Sequence, residues 1–369
     1  MTRQRYLHGL NVLRIVASVT VVYDHFRGWF ASGQQRWTFD ENFSATVLGP
    51  LRLDSLIGQF GILTFFIVSG LVITYAAQRE TPGRFAARRA VRILPAMWVV
   101  LLAVWIVARF NVPIGVTGPV DVGDLFANLT LANFFVSGYP GLDLVTWTLA
   151  VQIAYYVFVA ATIPLLRRWP WLPPALAVTL VSVLLSVVND ESSVTTHMLR
   201  VVITFLPVLF IGQLIALVQL GRLHPLAGLA YGVLQWLLMV RADFTSDVTP
   251  AIPGYTRMVV LIALLVIVCC RLTGGLVAGQ WAREVANRTY AVFLVHVPVL
   301  YVTPHLLSTT TGTTLAFFVA IVATAVIADL LYRLVEAPGV RWYRRWENRG
   351  QHSAERAPDD LAGRAEAAR

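Results

Sequence analysis

The chain has 369 residues, of which 57% are hydrophobic and only 13% charged, and its formal net charge of +9 comes from arginine alone because lysine is absent. A soluble domain is about a quarter charged, so composition excludes a water-soluble protein and points to a bilayer as the main solvent. The arginines fall in short clusters between apolar runs, where orientation signals belong, which argues against nucleic acid as a partner.

In chain order, ten apolar runs predict spans at 10–31, 54–77, 90–110, 144–166, 172–189, 199–219, 225–241, 257–277, 289–308 and 314–336. Most are long enough to cross a hydrocarbon core of ~30 Å, and their length favours helices over barrel strands. The predicted fold is therefore all-α: one polytopic transmembrane bundle over 1–346, followed by a polar tail, 347–369, that reads as disordered. Arg3 and Arg5 precede the first run as in a signal peptide. Asp24 and His25 interrupt the run and no small-residue cleavage pattern follows, so an uncleaved helix is expected. Alternate loops differ in arginine: Arg79, Arg84, Arg88 and Arg89, Arg167 and Arg168, and Arg341, Arg344 and Arg345 share one side, which puts both termini in the cytoplasm. In the long loop 111–143, "DLFANLTLANFF" has helical apolar spacing and suits an interfacial segment or a cap over an outward cavity. Cys269 and Cys270 are adjacent in an apolar run and offer neither a disulfide framework nor metal spacing, so no metal is expected.

Several polar residues in these runs are costly to keep. Arg14 and His25 are eleven apart, which returns them to within about 20° of one helix face and separates them by ~16 Å along the axis. Two readings stand for Arg14: it snorkels to mark a helix end, or it meets an anionic ligand. An intramembrane His usually faces a polar cavity, so His25 reads as functional. Asp24, its sequence neighbour, points elsewhere, to the outer loop or to another helix. In "RFAARRAVRILPAMW", Arg88, Arg89 and Arg92 exceed what topology needs, and Arg89 and Arg92 share a face suited to phosphate. "GILTFFIVSGLVIT" carries Gly61, Ser69 and Gly70, small residues that allow close helix approach or the passage of a substrate against Ser69. Trp147, Gln152, Tyr155 and Tyr156 give the fourth span a polar, aromatic face, and His296 stands two residues before Pro298 in the ninth. Glu336 is expected to pair with Arg333 at the inner interface.

Taken in order, these stretches resemble the acyltransferase-3 family of membrane-bound acyltransferases, from Leu10 to about Trp342. Arg14 and His25 match the family's Arg, ten residues, His. Phe65, Phe66, Ser69 and Gly70 match its "FFxxSG". Arg89, Arg92, Ile93, Pro95 and Trp98 are similar to its Arg-x-x-Arg, "I-x-P-x-x-W". Thr289, Tyr290, His296 and Pro298 resemble its late helix, and Tyr332, Arg333, Glu336 and Pro338 its terminal motif. The chain departs from the family at "WTLAVQIAYY", where Gln152 and Ile153 stand in place of the usual acids of "WSLAVEEQFY".

The resemblance implies an integral protein of the bacterial cytoplasmic membrane that moves an acyl group, acetyl by default, from acyl-CoA to a hydroxyl of a sugar, polysaccharide or glycosylated small molecule. It is to the stand-alone form, without a fused periplasmic hydrolase-like domain. On this reading Arg14, Arg88, Arg89 and Arg92 hold the donor phosphates, and His25 acts as general base or carries the acyl group covalently. Ser69, Gln152 or Tyr155 would stabilise the oxyanion, while Asp24, Trp147 and His296 would meet the acceptor. The competing class is a proton-coupled transporter of an anionic or sugar-like substrate, against which the absence of an internal repeat counts.

Overall fold

The computed structural model describes residues 8–349, apart from 33–36, 111, 113, 117, 189–190, 247, 249–253, 273, 275–278 and 312. Helices account for all of its regular structure; no strand occurs among the described residues. They are α1 (His8–Ser32), α2 (Thr38–Phe43), α3 (Ile57–Ala77), α4 (Pro82–Arg109), α5 (Val122–Leu129), α6 (Trp147–Arg168), α7 (Leu172–Val187), α8 (Val194–Gln219), α9 (Pro225–Phe244), α10 (Tyr255–Cys269), α11 (Gln280–Thr311) and α12 (Thr313–Leu331). A π-turn at Tyr332–Glu336 follows α12, and helix resumes to residue 349. Each expected span coincides with one of these helices, and among the described residues seven helices are long and apolar enough to cross a membrane. The protein is an all-α integral membrane bundle.

Local sequence sets the helix starts. Pro82 and Pro225 occupy first-turn positions, where the missing N–H costs nothing. Capping boxes at Asp121/Asp124 and Ser193/Thr196 open α5 and α8. Three boundaries differ from expectation. α4 begins at Pro82 rather than 90, and so takes the arginine cluster into the helix instead of leaving it in a loop. α10 ends at Cys269 rather than 277, and α11 starts nine residues early, at Gln280. The helix continuing α12 includes Glu347, the first residue of the expected tail; residues 350–369 lie outside the described residues.

α8 is the central helix, with every residue from Arg200 to Leu217 buried, as befits a segment apolar on all sides. α3 packs along it through a reciprocal glycine contact. A Cβ on Gly70 would lie 1.9 Å from the Leu209 carbonyl oxygen, and one on Gly212 would lie 2.0 Å from that of Ile67. Gly61 lets α1 approach the other side of α3, where a Cβ would come within 2.6 Å of the Ala17 carbonyl. α11 packs between α1 and α12, so α1, α3, α4, α6 and α11 surround a common interior. In the expected interfacial segment, α5 is tied to α4 by Trp98 and Trp105, whose indoles donate to the carbonyls of Leu129 and Asp121 at 3.0 and 2.6 Å.

Candidate active site

That interior is a cavity of about 150 Å³. Arg14 reaches it from α1, Ser69 from α3, Arg89 and Arg92 from α4, Gln152 and Tyr156 from α6, and Thr289, Tyr290 and Phe293 from α11. Five residues expected at the site, Arg14, Ser69, Arg89, Arg92 and Gln152, thus meet around one void although they come from four helices. The Arg14 guanidinium donates to Thr289 Oγ1 at 3.0 Å, which fixes it inward rather than toward a helix end. Gln152 Nε2 donates to Ser69 Oγ at 3.0 Å. That leaves the serine's own proton free for another acceptor.

The pattern on α6 follows helical geometry. Thr148, Gln152 and Tyr156 recur every four residues and make one stripe facing the cavity. Tyr155 is rotated off that stripe and fully buried, its hydroxyl 3.2 Å from the Gly70 carbonyl oxygen and 3.4 Å from Thr74 Oγ1. Trp147 packs edge-on against Phe66 and tilted against Phe205 rather than lining the void. Arg88 also points away from it. Its guanidinium bridges Glu80 and Glu347, each at 2.7 Å, and so ties α4 to the C-terminal helix. Asp24 lies against the first turn of α3, where a Cβ on Gly58 would fall 2.1 Å from its Oδ2.

His25 and His296 form a pair beside the cavity, with ring centroids 5.1 Å apart and an edge-to-face angle of 63°. Phe293 belongs to both places: it lines the cavity, and its ring centroid lies 6.2 Å from that of His296. His296 is fully buried, and its Nδ1 lies 2.8 and 3.1 Å from the carbonyl oxygens of Phe293 and Val292. Carbonyls only accept, so Nδ1 carries the proton and Nε2 keeps a lone pair. That Nε2 has no hydrogen-bond partner among the described residues.

Glu336 departs from expectation. Arg333 pairs with Asp329 at 2.8 Å, whereas Glu336 is 6% exposed and has Arg92 and Arg14 as its charged neighbours. The π-turn over 332–336 explains the change, because the extra residue in that turn rotates Glu336 off the face it would share with Arg333. The site therefore holds three guanidiniums and one carboxylate, an excess of positive charge suited to an anion.

Residues 7–333 match the model of the acyltransferase domain family, acyltransferase-3. Over 334 residues the chain is 25% identical to the exopolysaccharide production protein ExoZ of Rhizobium meliloti (strain 1021), covering 84% of this chain and 95% of that one. It is 24% identical to nodulation protein 10 of Rhizobium leguminosarum bv. viciae over 181 residues, 44% of this chain and 46% of the relative, so that match spans about half of the relative's length. No solved structure matches. A family model covering nearly the whole chain, on an all-α membrane bundle with a polar interior, settles the assignment: the protein belongs to the acyltransferase-3 family of membrane acyltransferases.

Proposed function

We propose that this acyltransferase transfers an acyl group, acetyl by default, from acyl-CoA to a hydroxyl of a polysaccharide or another glycosylated acceptor. The observation that carries the reading is the convergence of Arg14, Arg89 and Arg92 on one cavity inside an apolar bundle. The three are half-buried, and with Glu336 as the one carboxylate beside Arg14 and Arg92 they leave an excess of positive charge that a polyanion would neutralise; the CoA phosphates are such a group. At about 150 Å³ the cavity is smaller than the ~300–1,000 Å³ of a site enclosing a whole drug-sized ligand. It therefore takes the narrow thioester arm, with the phosphates at the arginines and the nucleotide outside. The name of the exopolysaccharide production relative supports a carbohydrate acceptor.

In this mechanism His25 takes the proton of the acceptor hydroxyl as the oxygen attacks the thioester carbonyl. The C–S bond then breaks, and the CoA thiolate leaves and is protonated. His296 Nε2 is an unpartnered acceptor beside the His25 ring, and in the donor complex it would take the N–H of His25 and so turn the opposite ring nitrogen toward the acceptor. Ser69, held by Gln152, donates to the developing oxyanion.

The test is release of free CoA thiol from acetyl-CoA by the protein in nanodiscs, with and without a panel of sugar acceptors. Acceptor-dependent release that disappears in His25→Ala is expected. Failure of the wild type to release thiol from acetyl-, propionyl- or longer acyl-CoA, together with failure to bind labelled CoA, would sink the donor assignment and favour the transporter reading.

A further inference from the structure

A second and larger void, about 640 Å³, lies on the far side of α3 between α9 and α10, with α8 as its floor. Its walls are apolar along most of their length, and its polar groups gather at one end. There the Tyr75 hydroxyl donates to Gln219 Oε1 at 3.1 Å, and Cys270 and Arg271 complete the rim. Gly232 leaves the α9 wall cut back, since a Cβ added to it would meet nothing within 4 Å. Trp236 stands at the other end, its indole donating to the Thr256 carbonyl at 2.9 Å.

The dimensions identify the occupant. From Pro225 to Trp236 the α9 wall is about 17 Å long, and from Val259 to Arg271 the α10 wall is about 18 Å. Each is close to half of a ~30 Å hydrocarbon core, the depth of one leaflet. The groove thus starts at a polar rim and ends near the midplane, the layout of a lipid with its tail inside and its headgroup at Arg271. Arg271 is exposed, and among the described residues no acidic side chain pairs with it, which leaves its guanidinium for a phosphate. The positive-inside orientation places this rim at the cytoplasmic leaflet, where anionic lipids act on basic residues.

We infer that the α8–α9–α10 groove is a binding site for one anionic glycerophospholipid of that leaflet, its acyl chain lying along Gly232 and its phosphate at Arg271. The site is separate from the arginine cavity and does not depend on the acyl-CoA reading.

The probe is phosphatidylglycerol against phosphatidylcholine of identical chains, presented to the delipidated full-length protein and read by native mass spectrometry. Wild type is expected to retain one phosphatidylglycerol and several-fold less phosphatidylcholine. Arg271→Gln should abolish that preference while keeping a bound lipid. Gly232→Phe and, separately, Leu264→Trp should fill the groove and remove the bound lipid; monodispersity and unfolding temperature show that each variant is folded, and labelled CoA binding reports the other site independently. Equal retention of the two lipids by wild type, undiminished binding in both filled variants, or capture of an isoprenoid lipid in place of the glycerophospholipid would overturn the proposal.

Discussion

Arg200 and the trio of Arg14, Arg89 and Arg92, half-buried around a void, are both arginine sites inside an apolar bundle, and they use their donors differently. Arg200 is fully buried in α8. Its guanidinium donates to the Val188 carbonyl at 2.8 Å and to the Thr245 carbonyl and hydroxyl at 2.7 and 2.6 Å, with Glu191 3.4 Å from Nε. It closes the ends of α7, α8 and α9 by satisfying carbonyls that would otherwise be orphaned. Arg92 borders a void and has no hydrogen-bonding partner among the described residues; Arg89 lines the same void, its Nε is buried without a hydrogen-bond partner as that of Arg200 is, and its terminal nitrogen reaches Glu80 only at 3.8 Å. An arginine whose donors are taken up by the protein holds the fold together. One whose donors meet a cavity is held ready for a ligand.

The largest effect should come from exchanging the two behaviours. Arg200→Ala strands several carbonyls and Glu191, and breaking a buried pair of this kind costs about 3–5 kcal/mol, a loss visible in the unfolding temperature of the nanodisc-embedded protein. Arg92→Ala removes a cation that donates no hydrogen bond to the described fold and leaves Arg14 beside Glu336, so that temperature should fall far less than in Arg200→Ala. CoA affinity should instead fall by about 10- to 150-fold, the worth of one charge-assisted hydrogen bond at ~1.5–3 kcal/mol. A destabilised Arg92→Ala with unchanged affinity would reverse the assignment of the two sites.

Asp143 sharpens the comparison from the side of the acids. It lies in the loop ahead of α6, is 2% exposed, accepts only a 3.4 Å bond from the Val145 N–H, and has its Oδ2 unpartnered. Burial pushes its carboxyl up to about 7. The unfolded carboxyl titrates near 3.9. Its contribution to stability is therefore complete below about pH 4 and lost as pH rises through 7, by on the order of 4 kcal/mol at most. Between pH 4.5 and 8.5 the wild-type unfolding temperature should decline, and Asp143→Asn should flatten the profile and exceed wild type at the alkaline end. A flat wild-type profile would mean that Asp143 is solvated.

The helices were legible because apolar run length is a property of the sequence alone. The start of α4 was not, since Arg84, Arg88 and Arg89 read as a loop until Glu80 and Glu347 are seen to pair with the cluster. The cavity residues stood out because Arg14, Arg89, Arg92, Ser69 and Gln152 are polar where apolar residues would be cheaper. The choice between Tyr155 and Tyr156 depends on the absolute rotation of α6, which spacing leaves open until one member of the stripe is placed. Glu336 was misassigned because a π-turn has no simple sequence signal. The contact of His25 with His296 joins residues 271 positions apart on two helices, and only the packing of α1 on α11 brings it about.

The smallest effect concerns the departure of α6 from its family. Gln152 donates to Ser69 Oγ, so the serine proton is available to an oxyanion. Gln152→Leu removes that support at a cost of about 0.5–1.5 kcal/mol, a 2- to 10-fold fall in turnover with the KM for acyl-CoA unchanged. Gln152→Glu restores an acid where relatives commonly carry one, yet it should not rescue the rate. An ionised carboxylate can only accept, so it would draw the Ser69 proton to itself and reverse the bond. The Glu variant should therefore turn over no faster than the Leu variant at neutral pH, with the loss relieved as the pH falls and the carboxyl gains a proton. Turnover at or above wild type in Gln152→Glu would show that Ser69 is not the oxyanion donor, and would move that role to a group that a carboxylate in α6 does not disturb.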